Sequence, residues 1–141
     1  TPSPGSGASG GQGFRRWATE RLAIEKRAMD VAQRFLREQG WTVCDKSRTE
    51  SYDLLCTRGN RHIFAEVKGT TAEGGQVIIT YGEVEFTKAN QENMLLVVVS
   101  GIELTPAANG GVSACGGNAR VHCQWSPQES QLRPISYTCT L

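Results

Sequence analysis

Three ionisable residues near a predicted hairpin turn have the types that acid–base or metal chemistry requires: Asp53, Glu66 and Lys68. Gly59-Asn60 separates two runs of strand-forming residues, and both turn residues tolerate positive φ, which predicts a two-residue hairpin. Cross-strand partners then have numbers that sum to 119, so Asp53 faces Glu66. Because side chains alternate between the faces of a strand, Lys68 lies on the same face as Glu66, one step further on.

The opposition of two carboxylates is the unusual feature of this pattern. Directly opposed residues have Cβ atoms about 4.5–5.5 Å apart, and like charges at that distance are destabilising. A shared proton, a neighbouring cation or a divalent metal would offset the repulsion between Asp53 and Glu66. Lys68 is one such cation, but it lies a residue pair further on. Two oxygens at this separation suit a hard ion such as Mg²⁺, so the pattern predicts a metal site more readily than a structural ion pair.

A long amphipathic helix is predicted over residues 14–39, with Gly40 as its C-terminal cap. Glu25 is the one acid within its broad apolar face, where a carboxylate is costly unless it is paired or coordinates an ion. If the helix packs over the sheet, Glu25 approaches Asp53 and Glu66 as a third acid. It would touch the metal directly or hold a metal-bound water. The alternative is a pair between Glu25 and an arginine at the edge of the core.

The remaining pattern indicates an α/β (α+β) fold. Thr80 and Glu83 fit a capping box, which predicts a second helix to about residue 91. We interpret Glu83 mainly as the acid that caps this helix, with a catalytic role as the alternative. Alternation places Tyr52, Leu54 and Cys56 on the core face of the hairpin. Strands are predicted at residues 41–46, 52–58, 61–70, 77–79, 94–104, 119–125 and 134–140, with a loop at residues 105–118. The order α-β-β-β-β-α-β-β-β predicts a mixed sheet flanked by helices.

The composition excludes several classes of protein. The chain of 141 residues has 15 basic and 14 acidic residues and a net charge of +1, so it does not hold nucleic acid mainly through bulk positive charge. No apolar run approaches the ~20 residues of a membrane span. Residues 1–13 consist almost wholly of small and polar residues, which predicts a flexible linker, a further domain upstream of it and one domain over residues 14–141.

Charge and cysteine patterns leave several interpretations open. The predicted first helix has a basic outer surface. Three interpretations of this surface are open: it contacts phosphates, it contacts a protein partner, or it contacts only water. Its basic residues are Arg15, Arg16, Lys26, Arg27, Arg34 and Arg37. The five cysteines are an odd number and none forms a CxxC pair. They are free thiols in a reducing cytoplasm, or they include a Cys115–Cys123 bridge or a metal cluster.

The acids and the lysine resemble a known nuclease signature. Glu25, then Asp53, then Glu66-Val67-Lys68 resembles the PD-(D/E)XK superfamily, in which a helix acid precedes a hairpin that bears D and ExK. The residue before Asp53 is Tyr52 rather than Pro. More narrowly, residues 23–104 resemble the C-terminal domain family named after the plant protein NO VEIN. The matching stretches are Glu38-Gln39-Gly40-Trp41, Tyr52-Asp53-Leu54-Leu55, Glu66-Val67-Lys68-Gly69-Thr70, Ile79-Thr80, Glu83-Val84 and Val97-Val98-Val99-Ser100.

The resemblance implies metal-dependent hydrolysis of DNA. Asp53, Glu66 and the backbone carbonyl of Val67 would bind Mg²⁺ or Mn²⁺, with Glu25 acting directly or through water. Lys68 would position the attacking water and stabilise charge on the phosphate. Gly69-Thr70 would let the strand bend away so that a DNA backbone can approach.

The same resemblance implies the biological setting. The domain would be the cytoplasmic cleavage module of a larger bacterial restriction, anti-phage defence or DNA-processing protein. Its partners would be DNA and an N-terminal domain, and not a membrane. A homodimer is left open, because many such nucleases pair to cut both strands. The alternatives are a catalytically inactive nucleic-acid-binding module and a protein-interaction module of the same fold.

Overall fold

The computed structural model describes residues 5–141, and side chains from residue 16 onward. It contains the helices α1 (Gly5–Glu38) and α2 (Tyr81–Ala89) and the strands β1 (Thr42–Asp45), β2 (Leu54–Arg58), β3 (Arg61–Gly69), β4 (Met94–Pro106) and β5 (Val112–Cys123). The strands form one sheet in the order β1-β2-β3-β4-β5, in which β3 and β4 are parallel and all other neighbours are antiparallel. The expected α+β class with a mixed sheet is confirmed. No helix among the described residues is long and apolar enough to cross a membrane.

The β2–β3 hairpin has the predicted register. Its pairs run from Arg58 opposite Arg61 to Leu54 opposite Ala65, and Gly59 in the turn has a φ of 60°. The parallel pairing of β3 with β4 requires a crossover, which α2 supplies. β3 is therefore an inner strand of the sheet, and its residues Ala65, Glu66 and Val67 are buried.

α1 packs against one face of the sheet and α2 lies on the other. The fully buried core side chains of α1 are Ala28, Ala32 and Leu36, and those of the sheet that they cover include Leu54, Cys56, Ala65, Val97 and Val99. On the opposite face, Phe86 of α2 contacts Phe64 of β3, with ring centroids 5.4 Å apart. Alternation along β3 thus gives one row of side chains to α1 and the other row to α2.

Two predicted strands and one predicted loop are wrong. Residues 77–79 and 134–140 form no strand, and neither segment joins the five-stranded sheet. The predicted loop at residues 105–118 is instead largely strand, since β4 and β5 form a long antiparallel hairpin. The observed order is therefore α-β-β-β-α-β-β.

The N-terminal boundary also differs from the prediction. α1 begins at Gly5 rather than at residue 14, so it includes residues 5–13 of the predicted linker. Residues 1–4 of that linker lie outside the described residues. The division into a linker and a separate domain stays a prediction.

All five cysteines are free thiols, so the alternative Cys115–Cys123 bridge is not present. Cys56 alone is buried, and burial raises the pKa of its thiol to about 11. A thiol with so high a pKa is a structural core residue and not a nucleophile.

Gly69 lets α1 approach the end of β3. A Cβ atom at this position would lie 2.7 Å from Ala28 Cβ and 3.1 Å from Ile24 Cγ2. The sequence suggested that Gly69 serves a bend that admits DNA, but the residue is still part of β3 and its missing side chain makes room for the helix. α1 therefore packs directly against β3, the strand that carries Glu66 and Lys68.

Replacement of Gly69 by alanine should destabilise the protein. The added methyl group overpacks the contact between α1 and β3, so we expect Gly69→Ala to lower the free energy of unfolding by about 1–3 kcal/mol. Urea denaturation measures the loss. The matched control is Gly75→Ala, because a Cβ at Gly75 meets no atom within 4 Å. Equal stability of the two variants would contradict the assigned role of Gly69.

Candidate active site

Glu66 and Lys68 project from β3 on the face that α1 does not cover. Their neighbours Ala65 and Val67 belong to the core under α1, and alternation therefore turns Glu66 and Lys68 towards α2. Glu66 is only 2% exposed. A buried carboxyl group in the middle of a sheet needs polar partners, because an unpaired one would cost several kcal/mol.

Lys68 is held between two glutamates. Its Nζ atom lies 3.0 Å from Oε1 and 3.2 Å from Oε2 of Glu83, and 3.5 Å from Oε1 of Glu66. The side chains of Lys68 and Glu83 are about one-fifth exposed, so water screens this ion pair only in part. The cation predicted beside the acids is therefore in place, although most of its direct contact is with Glu83.

Glu83 is fixed by the first turn of α2. Oε1 of Glu83 accepts a hydrogen bond from the backbone N–H of Thr80 at 2.8 Å, and Oγ1 of Thr80 accepts one from the N–H of Glu83 at 3.2 Å. The predicted capping box is confirmed. The same carboxylate both caps the helix and contacts Lys68, so helix capping sets the position of the lysine.

Asp53 lies just beyond the end of the β2 ladder. Its N–H donates to the carbonyl of Ala65 at 3.0 Å, and its Oδ2 accepts from the N–H of Val67 at 2.8 Å. The register arithmetic predicted that Asp53 pairs with Glu66 in the ladder. In the structure, Asp53 is not a regular ladder partner of Glu66. Burial raises the pKa of Asp53, while hydrogen bonds from the N–H of Val67 and from Glu66 act in the opposite direction, so the two carboxyl groups still interact.

The crowding of carboxyl groups favours the protonated form of Glu66. Burial raises the pKa of Glu66 to about 10, and its hydrogen bond with Glu83 and the charges of Asp53 and Glu83 act in the same direction. Burial would also raise the pKa of Glu83, but hydrogen bonds with Glu66, Thr80 and Lys68 lower it to about 2. Without another cation, Glu66 therefore stays neutral and Glu83 ionised at neutral pH.

An aromatic group borders these polar residues. Tyr52 lies with its ring centroid 4.7 Å from that of Phe64 and 5.2 Å from that of Phe86. Tyr52 was predicted on the opposite, core face, and that prediction is wrong because β2 begins only at Leu54 and alternation does not extend beyond it. The three rings instead shield the α2 side of the sheet next to Asp53.

Glu25 is not brought to this cluster. Its side chain is 60% exposed, and Oε1 lies 3.7 Å from Nε of Arg21 on the same helix. Because α1 packs on the face of the sheet opposite Glu66, the prediction of Glu25 as a third acid at the site is wrong, and the alternative of a pair with an arginine is observed. Glu83 supplies the third carboxylate instead.

The family to which the chain belongs follows from comparison with known families. The family model described as Protein NO VEIN, C-terminal matches residues 24–109, which is more than half of the chain. The chain belongs to this family. Comparisons with curated proteins and with solved structures found no match. The family predicted from the motifs is confirmed.

In this member of the NO VEIN family, the few atoms that could bind a metal at the cluster are all oxygens. The described residues contain no group of three or more His, Cys, Asp or Glu side chains arranged to hold a metal ion. Two carboxylates remain, those of Asp53 and Glu66. The carbonyl of Val67 points to the same side as its N–H, towards Asp53, because both groups of a strand residue face the same neighbour. This set consists of hard oxygen donors, which Mg²⁺ and Mn²⁺ prefer.

The pH dependence of stability should report the proton on Glu66. The folded pKa of about 10 exceeds the ordinary value of 4.5, so the folded state binds more protons and stability falls as pH rises between these values. We expect Glu66→Gln, which mimics the neutral acid, to remove up to about 1.4 kcal/mol of this loss per pH unit.

Urea denaturation at several pH values between about 5 and 9, in the presence of a chelator, measures the effect. Glu85→Gln is the matched control, because Glu85 lies on the same helix as Glu83 with a half-exposed side chain. The control should keep the wild-type slope. Parallel curves for wild type and Glu66→Gln would show that Glu66 carries no unusual proton.

Proposed function

We propose that this domain hydrolyses phosphodiester bonds in DNA with Mg²⁺ or Mn²⁺, as the cleavage domain of a larger bacterial restriction, anti-phage defence or DNA-processing protein. One observation carries the proposal: Asp53, Glu66 and Lys68 lie at one end of a hairpin, where Glu66 is buried and Asp53 is half-buried. A structural ion pair needs one acid and one base, whereas here Lys68 contacts two carboxyl groups, Glu66 and Glu83, and a third acid, Asp53, interacts with Glu66. The excess negative charge favours a site that receives a second cation.

The residues present fit a divalent metal. The raised pKa of Glu66 means that its carboxylate is unfavourable without a nearby positive charge, and a divalent ion can replace the proton. One oxygen of Asp53 accepts from the N–H of Val67, and the carboxyl group also interacts with Glu66, so an ion bound between the two acids would replace the hydrogen bond that now joins them. Asp53, Glu66 and the carbonyl of Val67 would hold the ion. When bound, the metal would lower the pKa of a water molecule and polarise the phosphoryl group.

Lys68 and Glu83 have separate tasks in this proposal. The Lys68 ammonium would donate hydrogen bonds to the attacking water and to phosphate oxygens, where negative charge grows during the reaction. Glu83 would keep Lys68 charged and orient it, since it contacts the ammonium with both oxygens. Lys68 is the catalytic residue of the pair and Glu83 the positioning residue.

Most of the DNA affinity is proposed to come from outside this site. The chain has a net charge of +1, and the cluster itself holds more acids than bases. The basic outer surface of α1 lies across the sheet from the cluster, and several of its side chains already have partners, such as Arg27 with the carbonyl of Gly116. A neighbouring domain that contacts phosphates would supply affinity and sequence choice.

One observation favours a second candidate, a non-catalytic nucleic-acid-binding module. With Glu66 neutral and Lys68 paired to Glu83, the polar network is satisfied without a metal, and no buried side-chain nitrogen or oxygen of the described residues lacks a partner. Such a module would bind DNA without cleaving it and without responding to metal. The two experiments below separate the candidates.

Metal binding should depend on Glu66 and should release a proton. We expect calorimetric titration of Mn²⁺ at neutral pH to show a heat that varies with the ionisation enthalpy of the buffer, because the ion displaces the proton of Glu66. Glu66→Gln should weaken Mn²⁺ binding more than about tenfold. Glu85→Gln, which removes an exposed acid outside the cluster, should bind as wild type does. Equal Mn²⁺ affinity of the wild type and Glu66→Gln would place any metal elsewhere.

Nicking of supercoiled plasmid in Mn²⁺ tests the chemistry itself. Asp53→Asn and Lys68→Met should each lower the rate by about 100-fold or more, because one removes a metal ligand and the other a hydrogen-bond donor to the reacting groups. Glu25→Gln should retain wild-type activity, since Glu25 lies outside the cluster. The non-catalytic candidate would be favoured if no preparation nicks DNA at high protein concentration, or if all variants do so equally.

A further inference from the structure

The C-terminal segment, residues 134–140, has the sequence pattern of a strand without being one. Apolar or weakly polar side chains at Ile135, Tyr137 and Cys139 alternate with the small polar residues Ser136, Thr138 and Thr140. This strict alternation is typical of a strand with one covered face. In the structure the segment belongs to no helix or strand, and Ile135 and Tyr137 are 71% and 84% exposed. Two large apolar side chains are thus left in water by a segment whose pattern indicates burial.

The sheet has an open edge that could accept a further strand. β5 is the last strand of the sheet and pairs only with β4. Its second half, residues 118–123, pairs regularly from Ser100–Asn118 to Leu95–Cys123, and we call this half the open edge. The first half is less suitable, because Gly116 and Gly117 have positive φ and Arg27 donates to the carbonyl of Gly116.

The open edge and the C-terminal segment match in their alternation. Ala119 and Val121 turn towards α1 and are only partly buried against the core, so the apolar row of the sheet is incomplete at this edge. Arg120 and His122 turn to the other face and are exposed. An added strand that places Ile135 and Tyr137 beside Ala119 and Val121 would extend the apolar row and leave the small polar residues beside the charged one.

The path of the chain carries the segment away from its own open edge. After β5 the chain is attached to α2 and to the short turn that follows it. Gln91 Nε2 of that turn donates to the carbonyl of Gln124, the hydroxyls of Thr87 and Ser126 lie 3.1 Å apart, and Lys88 Nζ lies 3.1 Å from a Glu129 oxygen. Residues 134–140 follow these attachments and do not join the sheet of their own chain.

We propose that the C-terminal segment of one molecule adds as a strand to the open edge of a second copy, and that the second copy reciprocates. Donor segment and acceptor edge are both present on every chain, so the two exchanges close a symmetric pair. Backbone hydrogen bonds would supply affinity, and the matched apolar rows would supply register. The seven residues of the segment span about 23 Å when extended, which is enough to cover the six residues of the open edge.

The oligomeric state of the whole chain tests the exchange. Sedimentation velocity over a wide range of protein concentration should show a dimer for the wild type. Ile135→Lys combined with Tyr137→Lys should shift the midpoint of dimerisation more than about tenfold towards higher concentration, because the apolar row then carries charge. The variant should keep the wild-type circular dichroism and unfolding midpoint, since both side chains are exposed in the single chain.

The matched control is Ser136→Glu combined with Thr138→Glu, which also adds two charged side chains to the segment, but in the row that lies beside Arg120, and should stay dimeric. A second measurement locates the acceptor. When the unlabelled wild type is added to the isotope-labelled Ile135→Lys, Tyr137→Lys chain, amide signals of residues 118–123 should shift. A wild type that is monomeric throughout, a dimer that both double variants retain equally, or amides of residues 134–140 protected from hydrogen exchange in a monomer would each overturn the proposal.

Discussion

Glu66 holds a carboxyl group where water reaches only 2% of the residue, and the rest of the cluster follows from that constraint. Ionised and alone, the group would cost several kcal/mol. The protein surrounds it with one lysine and two further carboxylates, which is a poor solution for stability alone, since the added acids increase the negative charge. Burial and the neighbouring acids raise the pKa of Glu66, and Lys68 lies closer to Glu83 than to Glu66. The cluster contains more acids than bases, and in this it differs from an ordinary buried ion pair.

Local chemistry predicted the parts of the site that depend on one turn. Gly59-Asn60 fixes the hairpin, and every ladder pair from Arg58–Arg61 to Leu54–Ala65 follows from it. The rule that partner numbers sum to 119 no longer holds where the ladder ends, at Leu54, which is one residue after Asp53 in the sequence. There the side chain of Asp53 replaces a strand partner by accepting from the N–H of Val67. The two acids still meet, but by capping the end of a strand rather than by facing each other across it.

Predictions that required knowledge of a neighbouring element were wrong. The apolar face of α1 was predicted too long: Ala28, Ala32 and Leu36 form the buried stripe, whereas Leu22 and Glu25, which continue it towards the N-terminus of the helix, are 61% and 60% exposed. Nothing in the helix itself shows which face of the sheet it covers. Composition likewise predicted a loop at residues 105–118, but glycines on both strands, Gly101 opposite Gly117, accept positive φ together and let β4 and β5 continue as a hairpin. Pairing with a neighbour decided the structure there, not local preference.

β3 explains how stability and chemistry are joined in so small a sheet. The side chains of Ala65 and Val67 are packed by α1, and those of Glu66 and Lys68 alternate with them, so any shift of the core row moves the polar row by the same amount. Gly69 makes this link tight, because α1 contacts the strand within a residue of Lys68. On the other face, Glu83 receives its position from the capping box of α2. Two helices therefore determine the position of Lys68 without apolar contacts to its side chain. α1 fixes the position of β3, and α2 fixes the position of the counter-ion, Glu83.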